Sequence, residues 1–153
     1  MKCARSTFAR PLYFFGGVAV LIRVLIADDH EAIRKGVRTI LLSRGNVEVC
    51  GEASNGSEAV RLAVELSPDL LILDLTMPVM GGFAAAKELR QLRPDIPILF
   101  YSMHDGLQLI KEAKQAGARG FVSKSRISDT LLDALDALVV QHGTFFPDTT
   151  DDY

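Results

Sequence analysis

Short apolar runs alternate with helical hydrophobic patterns five times between residues 23 and 142 of the chain. Runs this short, bounded by turn residues, indicate strands, whereas longer stretches with apolar residues every three or four positions indicate helices. The predicted strands are Arg23 to Ala27, Val47 to Ala53, Leu70 to Asp74, Ile98 to Tyr101 and Gly120 to Ser123. The predicted helices lie near Glu31 to Ser43, Ser57 to Leu66, Phe83 to Leu92, Leu107 to Ala116 and Ser128 to His142.

This alternation also predicts how the strands pair. Strands joined through helices run parallel, and a parallel sheet is covered by helices on both faces. Right-handed crossovers limit the order in which such strands can lie. The pattern therefore predicts an α/β domain built on a five-stranded, doubly wound parallel sheet.

Chemically active side chains follow the ends of four of the predicted strands. Asp28 and Asp29 follow the first strand, Asp74 ends the third, Ser102 follows the fourth and Lys124 follows the fifth. In a doubly wound sheet the ligand site lies outside the carboxyl ends of the strands, where the strand order reverses. We therefore expect carboxylates, a hydroxyl and an amine to meet at one edge of the sheet.

The chemistry of such an edge is restricted. Asp74 ends an apolar run, where an unpaired carboxylate would cost several kcal/mol. Neighbouring carboxylates raise one another's pKa, so a cluster of ionised ones calls for a cation, and oxygen ligands favour Mg²⁺. An aspartate in this setting can attack phosphorus and form an aspartyl phosphate. Ser102 and Lys124 would then supply a hydrogen-bond donor and positive charge to the phosphoryl oxygens.

Each of these residues has a simpler explanation when taken alone. A strand-end aspartate such as Asp28 or Asp29 is commonly only the N-cap of the next helix. A single Ser102 or Lys124 carries no functional signal. Their placement together at one sheet edge favours the functional interpretation.

Length, composition and charge set the broad class. With 153 residues, 48% of them hydrophobic, the chain is long enough for one domain with a substantial core. A formal net charge of −2 and a pI near 5.9 give no overall reason to expect a nucleic-acid or membrane partner. Cys3 and Cys50 lack metal-ligand spacing, so we interpret both as reduced thiols of a cytoplasmic chain.

The first residues imitate a signal peptide, because basic residues precede the apolar run LYFFGGVAVLI, Leu12 to Ile22. The run is too short for a membrane-spanning helix, which needs roughly 20 apolar residues. It also leads into the first predicted strand without a small-residue cleavage site. We therefore interpret residues 1–21 as a cytoplasmic extension, or as the product of an upstream start codon wrongly chosen before Leu21.

Over about Arg23 to His142, the motifs LIADDH, LILDLTMPVMGG, ILFYSMHD and GARGFVSKS resemble those of the receiver domains of two-component response regulators. The resemblance implies the flavodoxin-like receiver fold, with five helices and the strand order 2-1-3-4-5. It implies these site residues: Asp74 as phosphoacceptor; Asp28, Asp29, Asp74 and the backbone carbonyl of Thr76 as the Mg²⁺ site; Lys124 as the phosphate-binding lysine; Ser102 as the switch hydroxyl; Phe121 as the switch aromatic.

The subfamily whose receivers precede a LuxR-type helix-turn-helix domain is similar in ADDHEAIRKGVRTIL, SMHD and HGTFFPD. We accordingly divide the chain into residues 1–21 as an extension, 22–143 as the receiver domain and 144–153 as a tail that begins a linker. Ser125 departs from the proline that often follows the family's lysine. His104, two residues beyond Ser102, occupies a position that modulates loss of the phosphoryl group in the family, although a solvated loop histidine is an equal alternative. His30 flanks the same edge.

The resemblance implies a non-enzymatic switch in transcription regulation, which accepts a phosphoryl group from a sensor histidine kinase. A second copy of the chain is a further expected partner on phosphorylation, and direct DNA binding by these residues is not expected. The alternative is a magnesium-dependent hydrolase of the haloacid dehalogenase type, which also uses a strand-end aspartate. That family carries a second aspartate two residues after the nucleophile, where this chain has Thr76.

Overall fold

The computed structural model describes residues 14–15, 18–19 and 21–148. Five strands form the main sheet: β1 Ile22–Ala27, β2 Val47–Ala53, β3 Leu70–Asp74, β4 Ile98–Ser102 and β5 Gly120–Ser123. Five helices connect and follow them: α1 Glu31–Leu42, α2 Gly56–Leu66, α3 Gly82–Leu92, α4 Leu107–Gln115 and α5 Ile127–Leu135. A 3₁₀ turn, Lys124–Arg126, precedes α5, and a π-helical turn, Asp136–Val140, follows it.

The predicted elements are confirmed, with one difference at the last helix. All strand and helix ends up to α4 agree with the sequence pattern to within one residue. The final helical stretch was predicted as continuous to His142, but its hydrogen bonding changes to the π pattern after Leu135. Hydrophobic periodicity cannot detect that change, because a single π turn is too short to show a period of its own.

The five main strands are parallel and lie in the order β2-β1-β3-β4-β5, which is the predicted 2-1-3-4-5 arrangement. The strand order reverses between β1 and β3, because β2 lies on one side of β1 and the later strands lie on the other. The carboxyl ends of β1 and β3 therefore flank a crevice. Cys50 is buried in β2 and is a free thiol. Cys3 lies outside the described residues.

Alternate residues of each strand enter two different cores. One core packs the sheet against α1 and α5 and contains Ile26, Ile72, Tyr101 and Val122. The other packs it against α2, α3 and α4 and contains Phe100 and Phe121. Since side chains alternate along a strand, residues two positions beyond Ile26, Ile72 and Val122 continue the α1–α5 face at the carboxyl edge. Those residues are Asp28, Asp74 and Lys124.

Both ends of the described chain add strand pairing. Residues Phe14–Phe15 pair antiparallel with Val18–Ala19 in a separate small sheet, within the segment interpreted above as an extension. At the other end, Phe145 forms a parallel bridge with Gly120 beside β5. Residue 145 therefore contacts the sheet although the sequence pattern assigned it to the tail; the division at residue 143 itself stays a prediction.

Candidate metal and phosphoryl site

The carboxyl ends of β1 and β3 bring an acidic cluster together. One carboxylate oxygen each from Asp28, Asp29 and Asp74, and one ring nitrogen of His30, all lie within 4.8 Å of one another. Asp28 and Asp74 are buried, whereas Asp29 and His30 are exposed. The cluster thus has a buried floor and an open mouth.

Lys124 joins the two buried carboxylates. Its Nζ lies 2.7 Å from Asp28 Oδ2 and 3.3 Å from Asp74 Oδ1. The short 3₁₀ turn that begins at Lys124 follows directly on β5, so the strand brings the Lys124 backbone to the carboxyl edge of the sheet. Two of the three carboxylates therefore share this ammonium, and negative charge remains in excess at the cluster.

Asp28 is fully buried and well provided with donors. Its Oδ2 accepts hydrogen bonds from the Tyr101 hydroxyl, at 2.6 Å, and from Lys124. Its Oδ1 accepts the backbone N–H of His30 at 2.9 Å. Burial by itself raises the pKa of Asp28, but these hydrogen bonds and the charge of Lys124 outweigh it and lower the pKa below its ordinary value.

Asp74 has a different environment. Burial and the nearby charge of Asp28 raise its pKa above the ordinary value, and the hydrogen bond and charge of Lys124 offset only part of that shift. The backbone N–H of Thr76 lies 3.4 Å from Asp74 Oδ1, which is a weak contact. The surroundings therefore stabilise the ionised form of Asp74 less than water does, and a cation bound beside Asp74 would stabilise that form.

The loop after Asp74 packs very closely against the start of α3. A Cβ on Gly82 would lie 2.3 Å from the carbonyl oxygen of Asp74, so only glycine allows this approach. The Gly82 N–H donates to the carbonyl of Leu75 at 2.9 Å. Gly82 thus holds the loop that carries Thr76 against the start of α3.

Ser102, His104 and Phe121 lie where the sequence pattern expects them, although their predicted roles stay predictions. Ser102 is buried, and its Oγ accepts the backbone N–H of His104 at 3.1 Å. The His104 side chain is exposed. Phe121 is fully buried and lies beside Phe100 in the register of β4 and β5, on the α2–α4 side.

Tyr101 is a site residue that the sequence pattern did not single out. In the sequence Tyr101 is only the last residue of the predicted fourth strand, whereas in the structure its hydroxyl contacts Asp28, and Lys124 Nζ lies 4.7 Å from its ring centroid. Burial, together with the hydrogen bond to Asp28 and its charge, raises the pKa of Tyr101. No sequence pattern indicated this contact, because it depends on the register of β3 and β4, in which Tyr101 lies opposite Asp74.

The donor set fits a hard divalent cation. Three of its four residues offer carboxylate oxygens, and the buried Asp28 and the exposed Asp29 follow β1 directly. Lys124 compensates only part of the negative charge of the cluster. Mg²⁺ commonly binds through one or two carboxylates while keeping several waters. Asp28, Asp29 and Asp74 could hold it, with the exposed mouth leaving room for those waters.

No helix among the described residues is long and apolar enough to cross a membrane.

Comparisons with known proteins give a consistent result. The sequence model of the response regulator receiver domain matches residues 24–136. The transcriptional regulatory protein YdfI of Bacillus subtilis is 36% identical over 126 residues, which cover 82% of this chain and 59% of YdfI. LiaR of the same organism is 39% identical over 117 residues, which cover 76% of this chain and 56% of LiaR. This chain therefore spans between half and three fifths of the length of the curated relatives it matches.

Solved structures agree. A LuxR-family two-component response regulator from Aurantimonas sp. SI85-9A1 superposes with a TM-score of 0.79 at 35% identity, covering 84% of this chain and 91% of that one. The motifs, the strand order and these similarities lead to the same assignment: the chain belongs to the family of response regulator receiver domains, and its relatives are LuxR-type transcriptional regulators.

Proposed function

We propose that this chain is a phosphorylation switch, in which Asp74 accepts a phosphoryl group from a sensor histidine kinase in the presence of Mg²⁺. The observation that carries the proposal is the position of Lys124, whose ammonium lies between the carboxylates of Asp28 and Asp74 in a cluster with excess negative charge. A buried nucleophile beside an ammonium and a cation site is the arrangement that phosphoryl transfer to a carboxylate requires.

Each residue has a definite part in the proposed transfer. The ionised carboxylate of Asp74 attacks phosphorus, the new O–P bond forms, and the phosphorus–nitrogen bond of the donor phosphohistidine breaks, with the imidazole leaving. Asp28, Asp29 and the backbone carbonyl of Thr76 would hold Mg²⁺ with Asp74; when bound, it neutralises charge on the phosphoryl oxygens. Lys124 and Ser102 would donate to those oxygens.

The names of the relatives and one solved structure support the proposed function. YdfI, LiaR and a DegU protein of Brevibacillus brevis are named transcriptional regulatory proteins. The isolated receiver domain of RcsB from Salmonella enterica, 27% identical with a TM-score of 0.77, was solved in the presence of the phosphomimetic BeF₃⁻. We therefore propose that phosphorylation of this chain serves transcription regulation, with a second copy of the phosphorylated chain as a further partner.

The hydrolase alternative has little in its favour. Thr76 stands where a haloacid dehalogenase hydrolase carries its second aspartate, and the match to the receiver family over residues 24–136 gives that alternative no support.

Intact-mass measurement after incubation with Mg²⁺ and acetyl phosphate tests the proposal. The parent protein should gain one phosphoryl group, and Asp74→Asn should gain none. Asp95→Asn is a matched control, because Asp95 is an exposed aspartate paired with Arg93 in the loop before β4. It should be labelled like the parent. Labelling of Asp74→Asn to the parent's level would refute the proposal.

A further inference from the structure

One oxygen of Asp28 has two donors. The Tyr101 hydroxyl lies 2.6 Å from Asp28 Oδ2, and Lys124 Nζ lies 2.7 Å from the same atom. Asp28 and Tyr101 are both fully buried. Water therefore cannot readily replace a donor that leaves this oxygen, and a buried charge that loses its partner costs more free energy than an exposed one.

Asp28 and the phosphoryl group on Asp74 would compete for the ammonium of Lys124. In the structure its ammonium is shared between Asp28 and Asp74. In the proposed function, on which this inference rests, the same ammonium donates to the phosphoryl group on Asp74. Moving toward the phosphoryl oxygens takes Lys124 away from Asp28 Oδ2, and that loss counts against binding the phosphoryl group.

We propose that Tyr101 is a positioning residue that releases Lys124 for the phosphoryl group, because its hydroxyl stays on Asp28 Oδ2 when Lys124 moves away. The hydroxyl contacts Asp28 from β4, so its position does not depend on the loop that carries Lys124. The Tyr101 ring meanwhile lies under the ammonium, at 4.7 Å from its centroid, and keeps a favourable surface for the cation throughout the movement.

The role belongs to the hydroxyl rather than to the ring. A phenylalanine at this position would fill nearly the same volume in the α1–α5 core and keep the cation–π contact. It would leave Lys124 as the remaining side-chain donor that the structure shows for Asp28 Oδ2. In Tyr101→Phe the ammonium is thus held more strongly at Asp28 and is less available to a phosphoryl oxygen.

The test compares two affinities in Tyr101→Phe and the parent, both followed by calorimetry or fluorescence. The first is the affinity for Mg²⁺ alone, when Lys124 can remain on Asp28; it should change by less than about threefold. The second is the affinity for beryllofluoride at saturating Mg²⁺, when the phosphoryl mimic competes for Lys124. It should fall roughly tenfold or more, the scale of one hydrogen bond to a charged group.

Ile72→Val is the matched control. Ile72 lies two residues before Asp74 on the same face, and the substitution removes one methyl group from the same core without altering a polar contact. Its two affinities should match those of the parent even though the fold is less stable. A general loosening of the core would instead weaken beryllofluoride binding in both variants, which would overturn the inference.

The remaining outcomes separate the inference from the proposed function. Failure of the parent itself to bind beryllofluoride with Mg²⁺ would overturn the proposed function and the inference with it. Equal beryllofluoride affinity in the parent and Tyr101→Phe would overturn the inference alone. An equal loss already present with Mg²⁺ alone would do the same, since the hydroxyl would then be orienting Asp28 for the cation.

Should Tyr101→Phe not fold, a measurement on the parent replaces it. The chain has three tyrosines, and the ¹³Cζ resonance of Tyr101 can be assigned with Tyr13→Phe and Tyr153→Phe. Its hydrogen-bonded shift should persist when beryllofluoride and Mg²⁺ are added. A move to the shift of a phenol without an acceptor would show that the hydroxyl leaves Asp28 together with Lys124, against the inference.

Discussion

Asp28 and Asp74 show how neighbouring atoms set the behaviour of identical side chains. Both are buried carboxylates on the same face of the sheet. Asp28 receives Tyr101, Lys124 and the N–H of His30, which together lower its pKa in spite of burial. Asp74 has the longer contact to Lys124 and a weak one to Thr76, so burial and the charge of Asp28 raise its pKa. The carboxylate proposed as nucleophile is therefore the less stabilised of the two.

The first residue-scale prediction is that Asp74→Asn stabilises the metal-free protein at neutral pH. The pKa of Asp74 in the folded protein lies above its ordinary value of 3.8, which applies to the unfolded chain. The free energy of unfolding of the parent therefore falls as the pH rises from the unfolded-state pKa to the folded-state pKa. Asparagine has no charge to bury and avoids that loss. The gain should be on the order of 1 kcal/mol at pH 7 and vanish near pH 3.8 and below.

Urea unfolding in the presence of a chelator, over a series of pH values, measures this gain. Asp95→Asn is the control of opposite sign, because hydrogen bonding to Arg93 lowers the pKa of Asp95. Asp95→Asn should therefore lower the free energy of unfolding above that pKa, whereas Asp74→Asn raises it. A neutral-pH stability of Asp74→Asn below that of the parent would contradict the assigned environment of Asp74.

A second residue-scale prediction concerns Val79 in the loop between β3 and α3. Val79 is 86% exposed and has a φ of 68°, in the left-handed region that β-branched residues disfavour. Val79→Asn should therefore raise the free energy of unfolding by about 1 kcal/mol, since asparagine tolerates this conformation. Val79→Ala should gain less. Thermal unfolding of the metal-free proteins measures both; an unchanged midpoint in Val79→Asn would show that the loop carries no such strain.

At the scale of elements, the edge strand β5 is covered by the C-terminal segment. The Phe121 N–H donates to the carbonyl of Phe145 at 2.8 Å, and the Phe145 N–H donates to the carbonyl of Arg119 at 2.9 Å. Phe145 packs against the α1–α5 core and Phe146 against the α2–α4 core. The segment therefore protects backbone groups that an open edge would expose, and it links both helix layers.

Gly120 permits this docking, which gives a prediction for Gly120→Ala. A Cβ there would lie 2.9 Å from the Phe145 carbonyl oxygen and 2.8 Å from Leu99 Cδ1. The segment should be displaced and the protein destabilised by roughly 1–3 kcal/mol, the usual cost of overpacking. Hydrogen exchange should locate the effect, because the Phe121 amide loses its acceptor and exchanges faster.

Gly36→Ala is the matched control for that prediction. Gly36 lies within α1, and a Cβ there meets nothing within 4 Å. Alanine at this position should stabilise the helix by roughly 0.5–1 kcal/mol and leave the exchange of the Phe121 amide unchanged. Faster exchange in both variants would mean that the segment responds to global stability rather than to the close approach at Gly120.

At the scale of the whole molecule, consecutive residues at the end of β4 lie on opposite faces of the sheet. Tyr101 belongs to the α1–α5 core, and Ser102, the next residue, continues the face of Phe100 on the α2–α4 side. Phe121 is buried on that same side. A phosphoryl group on Asp74 would thus attract Ser102 from one face and Lys124 from the other.

The whole-molecule prediction is that Ser102 carries the phosphorylation signal to Phe121 and α4. Its bond to a phosphoryl oxygen can shift a two-state equilibrium by about ten- to a hundredfold. NMR spectra of the phosphorylated and unphosphorylated parent should differ at Phe121 and along α4, and the differences should be much smaller in Ser102→Ala. Equal shifts in the two proteins would mean that Phe121 is a fixed core residue and that the hydroxyl does not transmit the signal.

The sequence by itself determined the elements and the edge of the sheet that carries the chemistry. Short continuous apolar runs predict strands that are buried on both faces, and apolar residues every three or four positions predict helices that are buried on one. Asp28, Asp74 and Lys124 could be placed at one edge, since the carboxyl ends of parallel strands coincide. The family motifs added the strand order, which the structure confirms.

Only the tertiary structure decided the partners within that edge. The hydrogen bond from Tyr101 to Asp28 joins residues 73 positions apart, and that from Lys124 joins residues 96 positions apart. Local pattern contains no information on such pairs, because they depend on the registers of β1, β4 and β5 in the assembled sheet. The opposite pKa shifts of Asp28 and Asp74 and the docking of Phe145 on β5 follow from the same long-range packing.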